Sequence, residues 1–255
     1  MVIRSSLMPF LRLAVALLCS AVALSAQNLP VGTALPVSLG SSLNAKSAKP
    51  GQKIEGKLMQ EVMLGNASLK SGSHLTGHVV SVSRPSASGA RIVLQFDQIQ
   101  DEHKIIPLHV GARAVASSQS VFNAGLPVDT NSTDESSEEW VTKQVGGEYV
   151  FRGRGYVSSD QGKVGTWSGS GVWGKLSDAG DCPASDSTNP QQALWIFSTT
   201  ACGAYGFEHT TLTQTGLTPP LGQIVLSSPK DIDLRSGSGW LLVVLAAPAG
   251  PPTQN

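Results

Sequence analysis

Arg91-Ile-Val-Leu-Gln-Phe-Asp97 sets Ile92, Leu94 and Phe96 against Arg91, Gln95 and Asp97 at a spacing of two. Successive side chains of an extended chain point to opposite faces, so this stretch reads as a half-buried β-strand. Leu35, Val37 and Leu39 alternate with small or polar neighbours in the same way. Between such runs, Lys49-Pro50-Gly51-Gln52, Leu64-Gly65-Asn66 and Ser86-Ala87-Ser88-Gly89 carry turn chemistry. Residues 27–115 are therefore expected to hold five to seven short strands in a small barrel or sandwich. Gly56–Leu64 alone competes as a helix, and it fits a strand equally well.

The rest of the composition agrees with an all-β chain. Twenty-seven Gly and 15 Pro interrupt the sequence too often for long helices. Charged residues are 14% and aromatics 5%, so the core must come mainly from Val, Leu and Ile. The expected layout is two small β-barrel or β-sandwich units, 27–115 and 140–245, joined by a flexible acidic linker at 116–139. The linker's acids are Asp129, Asp134, Glu135, Glu138 and Glu139, with no base among them. In the second unit, Tyr149–Arg154, Gly162–Trp173, Ala193–Ser198, Gln223–Leu226 and Trp240–Leu245 are the expected strands. A Pro/Gly-rich tail at 246–255 is expected to be disordered.

Residues 1–26 carry Arg4 and Arg12, an apolar run from Leu11 to Leu24, and a small-residue exit at Leu24-Ser25-Ala26. That pattern reads as a secretory signal peptide and implies a periplasmic or secreted protein. The apolar run is too short and interrupted for a membrane span, and Trp240–Pro248, the next candidate, is one strand's length. Without Arg4 and Arg12 the 18 basic residues become 16 against 18 acidic, a net of −2. No basic excess is present to neutralise phosphates, so a nucleic-acid partner is not expected. Cys19 falls in the leader behind Leu18, where a lipoprotein site wants a small residue. Cys182 and Cys202 remain, and in an exported chain they are expected to pair, which contributes about 3 kcal/mol in the chain-entropy model.

Leu29-Pro-Val-Gly-Thr-Ala-Leu35, Leu69-Lys-Ser-Gly-Ser-His-Leu75 and Leu234-Arg-Ser-Gly-Ser-Gly-Trp240 share the form Leu-x-x-Gly-[Ser/Thr]-x-apolar. The expectation is a good turn used three times, with Gly at positive φ, rather than a duplicated binding module.

The search for chemistry selects few residues. His74 and His78, and His103 and His109, share a face if each pair lies on one strand, and four imidazoles can hold a metal. No acid or Cys sits at ligand spacing beside them, so no metal or other cofactor is expected. Cys202 with His209 is the minimum for a thiol nucleophile, yet glycines flank Cys202 where a helix start is needed. Trp167-Ser-Gly-Ser-Gly171 and Arg235-Ser-Gly-Ser-Gly239 lack the glycine offset of a serine-hydrolase elbow. Asp97, Asp101, Glu102, Asp178, Asp181 and Asp186 offer carboxylates, but no spacing pairs them. Trp167 and Trp173, six apart, are read as one strand's same face. With Tyr205 they are the candidate binding aromatics, set against a core role. No catalytic residue is assigned, and the balance leans away from an enzyme. The expectation is an exported, non-catalytic envelope or extracellular protein whose partner is an envelope protein or a glycan. The alternative is a secreted hydrolase, glycan-active or otherwise, assembled only in the fold.

Val31-Gly-Thr-Ala-Leu-Pro-Val-Ser-Leu39, Pro50-Gly51-Gln52 and the turn Leu69-Lys-Ser-Gly-Ser-His-Leu-Thr-Gly77 together resemble the β-barrel domain of TrbI-like conjugal-transfer proteins of type IV secretion systems. That resemblance covers about fifty residues and implies a small barrel in the envelope. Lys70 stands where that family has a proline, and a leader replaces its membrane helix and Pro-rich stalk. The second unit resembles no family of known activity. The likeness therefore implies an exported barrel and not a secretion channel.

Overall fold

The computed structural model describes residues 29–128, 140–178, 180–183 and 191–246. The expected leader, the acidic run Asp129–Glu139, Asp186 and the tail beyond Ala246 lie outside them. In chain order the strands begin with β1 (Ala34–Leu39), β2 (Leu43–Asn44), β3 (Lys53–Leu58), β4 (Val62–Leu64), β5 (Ala67–Leu69), β6 (His74–Ser86), β7 (Gly89–Asp101), β8 (Lys104–Pro107) and β9 (Val110–Ala116). Helix α1 (Ser118–Ala124) follows, then β10 (Val141–Lys143), β11 (Tyr149–Phe151), β12 (Tyr156–Ser159), β13 (Gly162–Ser168), β14 (Gly171–Gly174) and β15 (Gln192–Ala193). The last are β16 (Gly203–Tyr205), β17 (Thr211–Gln214), β18 (Ile224–Ser228), β19 (Asp233–Leu234) and β20 (Gly239–Val244). The chain is all-β apart from α1 among the described residues. No helix among them is long and apolar enough to cross a membrane.

Ten strands form the main sheet, in the order β16-β9-β20-β1-β3-β6-β7-β18-β17 with β8 on β7. It curls into a nearly closed barrel whose end strands, β16 and β17, approach each other at a seam. The alternation of β7 is realised: Ile92, Leu94 and Phe96 are buried and face Leu35, Leu75, Ile224 and Leu242 in one core. Trp240 closes it, its ring meeting Phe96 edge-on at 5.9 Å. Full burial of such side chains stabilises by about 1.5–3 kcal/mol each.

The repeated Leu-x-x-Gly segments build the barrel's turns. The carbonyls of Pro30, Lys70 and Arg235 accept from the amides of Thr33, Ser73 and Ser238, and Gly32, Gly72 and Gly237 hold φ of 83°, 97° and 85°. These are turns that need glycine at the third position. Each turn also grips the end of a neighbouring strand. Gly32, Gly72 and Gly237 donate to the carbonyls of Val244, Leu58 and Leu39, whose amides donate back to Thr33, Ser73 and Ser238. A fourth copy, opening β3, has Gly51 at φ 78° and the same reciprocal bonds between Gly51, Gln52 and Val79.

The expected boundary at 116–139 does not divide the sheets. Strands β16, β17, β18 and β20 come from the second half of the chain, yet β20 lies between β9 and β1 in the barrel. Local alternation marks strands without naming their partners, which explains the difference. Nor is the start of the expected linker a linker: α1 occupies it, capped by Ser117, whose hydroxyl accepts from the Ser120 amide at 3.1 Å.

Strands β10 to β15 form a separate six-stranded meander in sequence order. Its Val150, Val157 and Val172 pack with Ala34, Ala114, Leu241 and Val243 in a second apolar cluster. In β20, Trp240 and Leu242 join the barrel core while Leu241 and Val243 join this one, so that strand is buried on both faces.

Buried polar side chains complete the junction. Gln60 donates to Val172 O at 2.8 Å and accepts from the amides of Val172 and Trp195 at 3.1 and 2.8 Å. Gly171 lies against it, where a Cβ would meet the Gln60 carboxamide at 2.3 Å. Gln192 accepts from the Ala34 amide at 2.9 Å, and Gln144 donates to Phe197 O at 2.7 Å.

Candidate functional site

The register of the six-stranded sheet sorts its side chains into two faces, because cross-strand partners share a face. One row of partners runs Val141, Phe151, Tyr156, Thr166, Trp173, Ala193. The adjacent row on the same face runs Lys143, Tyr149, Ser158, Lys163. Phe151 and Tyr156 stack with centroids 4.7 Å apart and planes at 17°. Lys143 lies 5.3 Å from the Tyr149 ring centre and Lys163 6.0 Å from that of Tyr156. Tyr149, Phe151 and Tyr156 are half-buried and belong to neither apolar cluster, whereas both lysines are exposed. The far end of the row is covered: Trp173 and Ala193 pack on the barrel core, and β15 touches β1 and β4.

On the opposite face Arg152 sits between two indoles, 4.9 Å from the Trp140 ring and 5.3 Å from Trp167. Burial lowers the guanidinium pKa from its ordinary value. Trp140 is half exposed, and Trp167 packs on the second cluster.

The expected aromatics are therefore not brought together. Gly162–Trp173 is a hairpin, β13 and β14, so Trp173 pairs with Thr166 and Trp167 with Val172, on opposite faces. Tyr205 also packs on the second cluster, and its hydroxyl accepts from the Cys202 amide at 2.9 Å. All three are half-buried and pack against one or other apolar cluster. Tyr149 and Phe151 were missed as binding aromatics, although Tyr149-Val-Phe151 shows the period-two spacing that would have flagged them.

The histidines do not converge. His74 and His78 share the outer face of β6, where His78 Nδ1 lies 2.8 Å from Asp97 Oδ2. His103 occupies the β7–β8 turn, and His109 lies between β8 and β9, its ring beside Gly222. Among the described residues no group of three His, Cys, Asp or Glu is placed to hold a metal ion.

Cys182 and Cys202 are disulfide-bonded, with Cα atoms 6.0 Å apart, so Cys202 offers His209 no thiol. Arg113 of β9, fully buried, reinforces that region. It donates to the carbonyls of Ala201 at 2.9 Å, Pro183 at 2.8 Å and Thr199 at 3.4 Å, and also to Ser177. Burial lowers its pKa. Across Thr199, the buried Glu148 accepts from the Thr199 amide at 3.0 Å and from its hydroxyl. Burial raises the Glu148 pKa, and the two Thr199 bonds oppose that rise only in part.

Two clefts among the described residues involve His209 and the disulfide. A groove of about 430 Å³ between the start of α1 and the loops 206–210 and 230–238 holds His209, Lys230, Asp231 and Arg235. Most of its charges are paired. Asp231 meets Lys46 at 3.1 Å, Arg235 meets Asp233 at 3.4 Å, and His209 Nε2 lies 3.3 Å from Glu208 without a hydrogen bond. A wider cleft of about 780 Å³ follows the seam beside the disulfide, lined by Gly203 and Leu212–Thr215, with Asp181 the one acid among its described lining residues. Comparison with protein-family models, characterised proteins and solved structures finds no match to this chain.

Proposed function

We propose that this chain is an exported, non-catalytic binding protein of the cell envelope or extracellular space. The barrel is the scaffold, and the face of the six-stranded sheet that carries Tyr149, Phe151 and Tyr156 is the contact surface. The observation that carries this reading is the placement of Tyr149, Phe151 and Tyr156 outside both apolar clusters. Aromatic side chains that no core absorbs are a common means of gripping a partner. The leader-like residues 1–26 and the Cys182–Cys202 bond support export, because such bonds persist in oxidising compartments. The likeness of residues 31–80 to the TrbI-like barrel supports an envelope setting and carries no channel function.

The test is fractionation of cells producing the protein, crosslinking in place and mass spectrometry of what co-purifies. Recovery in the periplasm or medium with a reproducible envelope partner is expected. A cytoplasmic protein, or one that hydrolyses a glycan at catalytic rates, would overturn the reading.

A further inference from the structure

We infer that the Tyr149–Phe151–Tyr156 face, flanked by Lys143 and Lys163, binds an acidic polysaccharide; this rests on the binding-protein reading above. The two lysines bracket the row that holds Tyr149 and Ser158, from β10 to β13. Three strand intervals separate them by about 14 Å, the span of a chain segment rather than of a single small anion. Tyr156 and Phe151, stacked on one another, stand in the adjacent row.

The chemistry selects the occupant. A pyranose ring has an apolar C–H face that stacks on an aromatic ring and a rim of hydroxyls that needs donors and acceptors. Ring faces here come with the hydroxyls of Tyr149, Tyr156, Ser158 and Thr166 on the same side of the sheet. The six strands contain Lys143 and Lys163 and no Asp or Glu. Of the acids nearby in sequence, Glu148 is buried against Thr199, Asp160 lies in the β12–β13 turn, and Glu138 and Glu139, before β10, lie outside the described residues. A sugar chain bearing carboxylates therefore meets complementary charge at both ends of the strip. A peptide strand is less suited, because it adds to a sheet's edge through backbone bonds and this surface is a sheet's face. Nucleic acid shares the stacking and the charge, but two lysines in a chain of zero net charge neutralise few phosphates.

The test is affinity electrophoresis of the purified full-length chain in gels containing alginate or polygalacturonate, with dextran and single-stranded DNA as contrasts. Retardation is expected in the acidic polysaccharides and is weakened by salt. Lys143→Gln/Lys163→Gln, two exposed substitutions that leave the packing intact, should weaken it at least fivefold. Tyr156→Ala should weaken it about tenfold, with circular dichroism checking the fold. Undiminished retardation of the lysine variant, or equal retardation by DNA, overturns the inference. So does absence of retardation in every gel. If a crosslinked envelope protein is still recovered in that last case, only the polysaccharide is wrong. If none is recovered, the binding-protein reading falls as well.

Discussion

The barrel and the six-stranded sheet solve the same problem with different material. The barrel has strands of up to thirteen residues, β6 and β7, and a continuous core of Leu, Ile, Val, Phe96 and Trp240. The six-stranded sheet has strands of two to seven residues and shares a smaller cluster with the barrel's outer surface. What it lacks in apolar area it replaces with buried polar side chains that act as substitute backbone: Gln60, Gln144, Gln192, Arg113 and Glu148. Apolar contact is non-directional, whereas a carboxamide bonded to two amides and a carbonyl accepts one placement only. The comparison teaches that the barrel is held by area and the sheet by address.

The largest effect should come from Arg113. Arg113→Ala takes the guanidinium from the carbonyls of Ala201, Pro183 and Ser177, while Thr199 O keeps the Ser177 amide and hydroxyl, and it loosens the segments around Ser177, Pro183 and Ala201 together. A loss of about 3–5 kcal/mol is expected in denaturant unfolding, since each buried carbonyl left without a partner costs about 1–3 kcal/mol. A loss below about 1 kcal/mol would break the comparison at its strongest point.

Gln60→Ala should cost about 3 kcal/mol, since buried groups of Val172 and Trp195 lose their partner. Hydrogen exchange sharpens the contrast: amides of β13–β15 should lose protection while those of β7 and β20 keep theirs. Uniform loss across both regions would show that the sheet is not the dependent part. Reduction of Cys182–Cys202 should lower stability by about 3 kcal/mol for a loop of this length. Its exchange signature should fall near 177–183 and the seam rather than in the barrel core.

The smallest effect concerns pH. Glu148 holds its proton more tightly in the folded chain than in the unfolded one, because burial raises its pKa. Its favourable contribution is present below the unfolded carboxyl value of ~4.3 and is lost as pH rises through the raised folded value. Glu148→Gln removes that loss. The melting temperature of the variant relative to wild type should therefore climb from acidic to neutral pH, and a flat difference would contradict the assignment.

Much of the barrel was legible because its signals are local. Ile92, Leu94 and Phe96 named the inner face of β7, and Leu64-Gly65-Asn66 and Ser86–Gly89 named two hairpins. Lys49-Pro50-Gly51-Gln52 was legible as a turn but not as a fourth copy of the repeated one, because Ala48 and Gln52 stand where the other three have Leu and a hydroxyl residue. Trp240–Leu245 was legible as a strand, but its burial on both faces and the strands beside it were not. The Trp167–Trp173 reading failed because Ser168-Gly-Ser-Gly171, itself a turn signal, was read through as strand.

Periodicity, turn glycines and the two late cysteines follow from the chain alone, since each depends on residues a few positions apart or on composition. Which strand lies beside which, that Gln60 would serve Val172, and which aromatics stay outside a core were settled only when distant segments met. Burial belongs to a residue's neighbours in space. A spacing in sequence states which way a side chain points, and the fold alone supplies what stands opposite it.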